Sequence, residues 1–403
     1  MSNLDLISMN AALKELYDGQ VVENLVYADN PFLAMVPKAN NFGGKYKPIP
    51  IQTGVSQGRS ATFSFAQANQ TAPDLESFLI TRAKDYSIAT IDNETMLASK
   101  TDKMAFLDGA KLLIDSAIRS CTNSLAGALF RSGTGSIGQI GTISTGVITL
   151  SNAGDITQFE KNMSLQANAT DGGTPRAAIG YVIAVNRALG QLTVSASVGG
   201  VAGTPTGWVG NDFLLVQGDN NAKIKGLQAW LPSTVSSVDN FFGVNRSADV
   251  SRLAGVYYDG SAQSIEEAVI DHSSLLAREG GKPNVLICNF ATYSALEKSL
   301  GSKVQYIDMK KAEIAFRGIS INGANSVIQV FPDRSCPSTT GFLLQMDTWK
   351  LESLGEAPQI LTYGDGLQML RVSNADAGEV RVGYYSQLRT NAPGYNGQIK
   401  FSA

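Results

Sequence analysis

From Thr101 to Arg131 apolar residues recur at three- and four-residue steps without a break. Met104, Leu107, Ala110, Leu113, Ile114, Ala117, Ile118, Cys121, Leu125, Ala128 and Leu129 thereby share one stripe of a helix. Ser99 with Asp102 fits a capping box at the start, while Arg131 and Gly133 supply a cation and a left-handed cap at the end. At about 1.5 Å per residue the helix would run ~45 Å, far beyond the common length in globular proteins. A rod that long needs a partner surface along its length. The small residues Gly109, Ala110, Ser116, Ala117, Ser120, Ser124, Ala126, Gly127 and Ala128 interrupt any heptad of large side chains. The stripe therefore predicts a single spine in a mixed α/β body, crossed closely by backbone, in preference to a bundle or coiled coil.

A chain of 403 residues, 43% of them hydrophobic, can bury a large core around such a spine, and its length implies two or three domains. Lys and Arg total 32 against 35 acids, a net charge of -3 with no block of like charge, which argues against a general grip on nucleic-acid phosphates. The first residues, Met1 to Asp5, carry no signal-like pattern, and no apolar run reaches membrane-spanning length, so the chain is expected to be made and kept in the cytosol. Cys121, Cys288 and Cys336 are isolated and lack metal-ligand spacing, which predicts three reduced thiols.

Ahead of the spine, Leu4 to Tyr17 reads as a short amphipathic helix, followed by a looser arm through Pro31 and Pro37. Residues 43–93 read as extended: Lys45 to Ile51, Ala61 to Phe65, and one strand from Phe78 to Ile91 with Phe78, Ile80, Tyr86 and Ile88 on a common face. The last of these would span ~45 Å at about 3.3 Å per residue. A ribbon of that reach is hard to cover with its own chain, and a lone hairpin is marginal in water. Something outside the subunit is expected to hold it. Beyond the spine, 133–138 reads as a linker, and five short β segments follow: Gly146 to Leu150, Ser164 to Ala167, Ile179 to Val185, Gln191 to Ala196 and Asp212 to Val216. Their spacing predicts a small inserted barrel over 139–219. An α/β texture then returns, with a helix from Ser264 to Arg278 capped by Ser264 and Glu267 and stopped at Gly280–Pro283. Val285 to Cys288 reads as a buried strand, Ala291 to Leu300 as a helix, and Ile319 to Phe331, Phe342 to Gln345 and Val380 to Leu388 as strands.

Chemical motifs are few. Gly133, Gly135 and Gly138 match the dinucleotide fingerprint in letters, but a helix precedes and a strand follows, the reverse of what phosphate binding requires. Gly54, Ser56 and Gly58 match a nucleophile elbow, with Asp271 and His272 downstream, yet they lie between extended segments where the elbow needs a strand-to-helix turn. His272 falls on the apolar stripe of its helix and reads as a core-edge residue. With one histidine and three scattered cysteines, no metal or cofactor site is expected, and the chain reads as structural, not enzymatic.

The order of parts resembles the major capsid protein of tailed bacteriophages, the fold named for the Hong Kong 97 phage. The resemblance is carried by Ile224–Pro232 (IKGLQAWLP), Phe242–Ser247, Leu253–Gly255, the helix from Ile265, Asn284–Asn289 leading to Leu296, and the closing Asn391–Tyr395. It implies an α+β chain divided into an N-terminal arm (1–42), an E-loop (43–93), a peripheral domain with the spine helix (94–138), the inserted barrel (139–219), a largely axial domain (220–345) and a return to the peripheral domain (346–403). It also implies self-assembly as pentamers and hexamers into an icosahedral shell around phage double-stranded DNA, in a virion made in the bacterial cytoplasm. Expected partners are further copies of the chain, a separate scaffolding protein because the short arm leaves no room for a fused one, a portal, and a decoration protein carried by the insert. Lys47, Arg59, Phe63, Phe65, Arg82, Lys84 and Tyr86 are the expected inter-subunit contacts. Some relatives join an E-loop lysine to a C-terminal asparagine, for which Lys45, Lys47 or Lys84 with Asn391 or Asn396 are the candidates. Two alternatives stand beside this reading: an encapsulin-like nanocompartment shell, and a serine hydrolase using Ser56, Asp271 and His272.

Overall fold

The computed structural model describes residues 30–94, 103–300, 306–308, 317–362 and 367–402. The expected Leu4–Tyr17 helix and the Ser99–Asp102 capping box lie outside them.

The spine helix is present as Lys103–Phe130. Ile114, Ala117, Ile118, Cys121, Leu125, Ala128 and Leu129 are buried as the stripe predicts, whereas Leu113 is 44% exposed and joins Leu112 on the open side. Backbone does cross the small residues. A Cβ on Gly226 would lie 2.4 Å from the Ala128 carbonyl oxygen, and the Gly226 N–H donates to the Arg131 carbonyl at 2.9 Å, so only glycine permits the crossing. The helix lies across a six-stranded sheet whose central strand is Ala377–Thr390. That strand pairs antiparallel with Ala83–Asp92 along one side and with Trp349–Ser353, Gln359–Ile360 and Met369–Arg371 along the other. Covered on both faces for most of its length, it is nearly continuous in burial, so the alternation expected there is muted.

A closed barrel of six strands follows the spine. Five match the sequence segments; the sixth, Ser136–Ser144, begins inside what reads as a linker and pairs with Val147–Leu150 and Phe213–Val216. Its Gly138 and Gly141 hid it from a propensity reading, and Gly138 is there because the Phe159 ring leaves 3.0 Å for a Cβ. Ile140, Ile148, Leu165, Val182, Leu192, Val194 and Leu214 fill the interior.

The second lobe is a seven-stranded mixed sheet in the order Val256–Asp259, Gly397–Lys400, Thr340–Leu344, Val285–Cys288, Val327–Pro332, Arg317–Asn322, Tyr306–Asp308. The helix Ile265–Arg278 carries the complete capping box of Ser264 and Glu267, and packs with Phe290–Leu300 over this sheet. The run from Ile319 to Phe331 is a hairpin and not one strand, turned at Gly323, whose N–H donates to the Ser326 carbonyl. Three further expectations change. The arm after Asn30 forms a short helix, Pro31–Met35, because Phe32 and Leu33 bury completely and the Phe32 ring packs, tilted by 47°, against Phe130 at 5.2 Å. Ala61 to Phe65 is not a strand: Phe63–Ala68 is helical, with no buried residue to hold it in a sheet. The Phe78–Ile91 ribbon breaks at Thr81–Arg82 into Asp74–Ile80 and Ala83–Asp92. The break reverses the inward face, so Phe78 and Ile80 are buried while Tyr86 and Ile88 are 48% and 57% exposed.

Candidate functional site

Lys47–Gly54 and Asp74–Ile80 form a two-stranded antiparallel sheet, with Ile49 opposite Phe78 and Lys47 opposite Ile80. Its base is anchored in the chain's own body. Ile49, Ile51, Phe78 and Ile80 are buried there, and Phe78 meets Trp230 edge-on at 5.1 Å beside Phe241 and Phe242. Trp230 is fixed by its indole N–H donating to the Leu388 carbonyl at 3.0 Å. The Arg246 guanidinium lies 4.0 Å from the centre of the Phe241 ring and donates to Asp239 and to the Ala229 carbonyl. Stacking and two acceptors hold a cation that burial alone would expel. Burial, then the nearby Arg246 charge, lowers the pKa of Lys225, whose ammonium sits 4.4 Å over Phe242. The residues that carried the family resemblance, 224–232 and 242–247, thus make the seat of the hairpin.

The far end is different. From Val55 onward nothing in the described body covers it: Val55 is 59% exposed, Phe63 80%, Phe65 63% and Leu75 71%. Scattered exposed apolar residues are ordinary, but here four fall on one hairpin and its connecting loop, left uncovered by the other described residues.

The seven expected contact residues divide accordingly. Phe63 and Phe65 stand on the tip, and Arg59 is exposed in the loop before them. Lys47 and Arg82 instead make bonds inside the chain. The Lys47 ammonium donates to Glu352 and Asn41, and Arg82 donates to the Phe42 carbonyl at 2.5 Å with its guanidinium against the Phe42 ring. Glu352 is wholly buried; burial would raise its pKa, but Lys47 and Arg389 outweigh that and hold it down. Lys84 is exposed on the strand Ala83–Asp92, and Tyr86 meets Tyr385 edge-on at 6.0 Å. Of the cross-link candidates, Asn396 is fully buried. Its carbonyl oxygen accepts from Trp349 and the Gln345 N–H, and its amide donates to Thr348 and Ala392. That residue locks the C-terminal turn and offers nothing to a neighbour.

A second group was invisible in the sequence. Lys223, just past the barrel, reaches Asp85 at 2.5 Å, Ser124 at 2.9 Å and Asp219 at 3.0 Å. It lines a cleft of about 870 Å³ between the spine and the barrel. Burial pulls the Lys223 pKa down, but the charges of Asp85 and Asp219 prevail and the net shift is upward. The Asp219 carboxyl is displaced upward by burial against the pull of Lys223. One buried ammonium therefore ties the barrel's stalk (Asp219), a body strand (Asp85) and the spine (Ser124).

The hydrolase constellation is not assembled. Ser56 is exposed on the hairpin, while His272 is fully buried with Nε2 facing the Val256 carbonyl at 3.1 Å and its ring stacked on Tyr258. Asp271 accepts from Tyr258 and Gln263 instead. All three cysteines are free and buried, and burial raises Cys121 and Cys288 to about 12, which keeps them protonated. Among the described residues no group of His, Cys, Asp or Glu could hold a metal, and no helix is long and apolar enough to cross a membrane.

Burial lowers His272 to about 4 from 6.5. The unfolded chain then binds a proton first on acidification, so His272 removes ~3 kcal/mol of stability as pH falls from 6.5 to 4. Asp333, raised by burial to about 6 from 3.8, acts oppositely and favours the folded state as pH falls from 6 through 3.8. The two act in opposite directions over this range. H272Q should therefore gain stability relative to the native chain by ~3 kcal/mol between pH 7 and 4, read from urea midpoints; an unchanged difference would contradict the buried neutral imidazole.

No protein-family model matches the sequence, and no curated protein matches it. Among solved structures the chain is similar to a chain of the cyanophage A-1(L) capsid asymmetric unit. The identity is 14% over 93% of this chain and 93% of that one, with a TM-score of 0.53. The chain has the phage capsid fold. The capsid of a native GTA particle follows at 10% identity, 92% and 90% coverage and a TM-score of 0.44. The holo-SrpI encapsulin complex of Synechococcus elongatus PCC 7942 stands at 7%, 99% and 96%, and 0.44. The barrel occupies the interval after the spine, and the base of the hairpin packs into the core cluster that also holds the spine and Trp230.

Proposed function

We propose that this chain is the major capsid protein of a tailed phage, assembling as pentamers and hexamers into an icosahedral shell around double-stranded DNA. The observation that carries this reading is the exposed apolar hairpin tip on a chain with the capsid fold. A patch on one element that meets a different patch on the next copy is a heterologous contact, and such contacts close into rings. In this reading 43–93 is the E-loop lying over a neighbour, 94–138 and 346–403 form the peripheral domain, 220–345 is mostly the axial domain, and 139–219 projects from the shell. A separate scaffolding protein, a portal and a decoration protein would complete the particle. The net charge of -3 suits a wall that encloses DNA without gripping it.

Negative-stain microscopy of the purified chain tests the assembly, and ultraviolet absorbance of particles from producing cells tests their content. Closed shells with hexameric and pentameric units, filled with DNA, are expected. A compact monomer at high concentration overturns the reading, and shells holding a protein cargo without DNA would assign the chain to a nanocompartment.

A further inference from the structure

Both ends of the barrel's stalk, 132–135 and 217–223, lie on the spine side, so the connectivity of the chain does not require the barrel to touch the second lobe. It touches it nonetheless. The contact is made by one turn of 3-10 helix, Ala153–Gln158, set between the barrel strands Val147–Leu150 and Ser164–Asn168. Ile156 and Phe159 root this turn in the barrel core, and the Arg187 guanidinium donates to both of their carbonyls at 3.2 Å.

The other sides of the turn meet two different bodies. Toward the spine, Asp155 is 8% exposed and accepts from the Arg131 guanidinium at 2.6 Å, directly past the helix end. Arg131 donates again to the Ile137 carbonyl at 3.3 Å. One helical turn earlier, a Cβ on Gly127 would lie 2.5 Å from the Gln158 side-chain oxygen, an approach that only glycine permits. Toward the second lobe, a Cβ on Gly154 would lie 2.1 Å from the Ser338 hydroxyl, and the Thr157 hydroxyl donates to the Arg334 carbonyl at 3.4 Å. The loop that carries Arg334 and Ser338 is itself fixed. The Asp333 N–H donates to the Cys288 carbonyl at 2.8 Å, the Asp333 carboxylate accepts from the Ser335 N–H at 2.8 Å, and the Asn289 side-chain amide donates to the Cys336 carbonyl at 2.9 Å.

We infer that the Ala153–Gln158 turn is a strut, through which the barrel fixes the angle between the spine and the second lobe. A nearly buried ion pair, costly to separate, ties the turn to one body. Close packing against an anchored loop ties it to the other, and close-packed contacts transmit strain instead of absorbing it. The strut stands on these contacts alone. Its consequence rests on the assembly reading: in a shell of heterologous contacts, the angle between the two lobes of a copy sets the curvature at which rings close.

Spin-label distance measurement on the unassembled full-length chain tests the strut. Nitroxides are placed through R119C on the spine and S274C on the second lobe, both exposed positions, while the native thiols are buried and unreactive. This labelled parent should give one narrow distance distribution. D155N/T157V, which removes both polar ties, should broaden it by about two-fold or more, and G154L should displace its mean by about 2 Å or more. S338G in the G154L background should return the mean toward the parent value, a rescue that a general loss of stability does not produce. The Val182 and Val194 amides, bonded inside the barrel, should stay protected from exchange in every variant, so that a changed distance reports the strut and not an unfolded barrel.

An unchanged distribution in D155N/T157V, or a G154L displacement that S338G leaves as it is, overturns the strut. Should D155N/T157V unfold the barrel, G154L and its rescue decide the question. Particles of D155N/T157V should vary in diameter where native particles are uniform, and uniform ones overturn the link to curvature. A native chain that forms no particles overturns the capsid reading, while the distances measured on the single chain still decide the strut.

Discussion

F63S/F65S should yield a folded chain that no longer assembles. The two rings are 80% and 63% exposed on a short helix that buries none of its residues, so their loss changes unfolding free energy by less than about 0.5 kcal/mol. In a shell each ring becomes an anchor. An aromatic group taken from water into a well-packed contact is worth on the order of 2 kcal/mol, and two together shift one contact by about a thousand-fold. Because every subunit in a ring repeats the contact, assembly measured by light scattering or sedimentation should collapse at concentrations where the native chain forms particles. A variant that assembles like the native chain would mean that the tip faces solvent in the particle, and the proposed role of the hairpin would be wrong.

K223M should have the largest effect on the isolated subunit. The lysine is the cation shared by Asp85 and Asp219, and both carboxylates lie in a poorly solvated cleft between spine and barrel. Removing one partner from a buried ionic group leaves unpaired charge behind, at a cost of about 3–5 kcal/mol. The loss should be visible as a lowered urea midpoint and as faster proteolysis at the barrel stalk around 132–135 and 217–222. The pH dependence has a definite sign. Without the ammonium, nothing opposes the upward displacement of Asp219, so its folded pKa lies above the unfolded one and stability returns as pH falls through it. The deficit relative to the native chain should therefore narrow between pH 7 and 5. D85N/D219N in the K223M background should recover much of the loss at pH 7. If neither acid nor the double replacement restores stability, the cluster is not held by charge pairing.

Much of the local architecture was readable from spacing alone. The stripe of the spine, the capping box of Ser264 and Glu267, the buried run Val285–Cys288 and five of the six barrel strands need only neighbours in sequence to declare themselves. The readable part of the candidate site was its tip, with Phe63 and Phe65 exposed near the middle of 43–93; the second half of the expected ribbon, Ala83–Asp92, instead pairs inside the chain's own sheet.

The misreadings share a cause. Ala61 to Phe65 has strand-forming letters, but at a tip with no sheet to join, the backbone bonds of a single helical turn are the ones available. Phe78 to Ile91 alternates well enough for one strand; only the turn at Thr81–Arg82, with Arg82 drawn to the Phe42 carbonyl, sends its halves to different sheets. Lys47 looks like a free surface cation until Glu352, 305 residues away, comes to lie beside it.

Periodicity fixed which segments are helix, barrel or buried strand, because those choices depend on side chains within a turn or two of each other. Only the tertiary structure decided which charges are paired and which apolar groups are left uncovered. Lys223 and Asp85 are 138 residues apart and meet because the barrel's stalk returns across the spine. Burial and pairing are properties of the space a residue ends in, and that space is made by parts of the chain its neighbours in sequence do not specify.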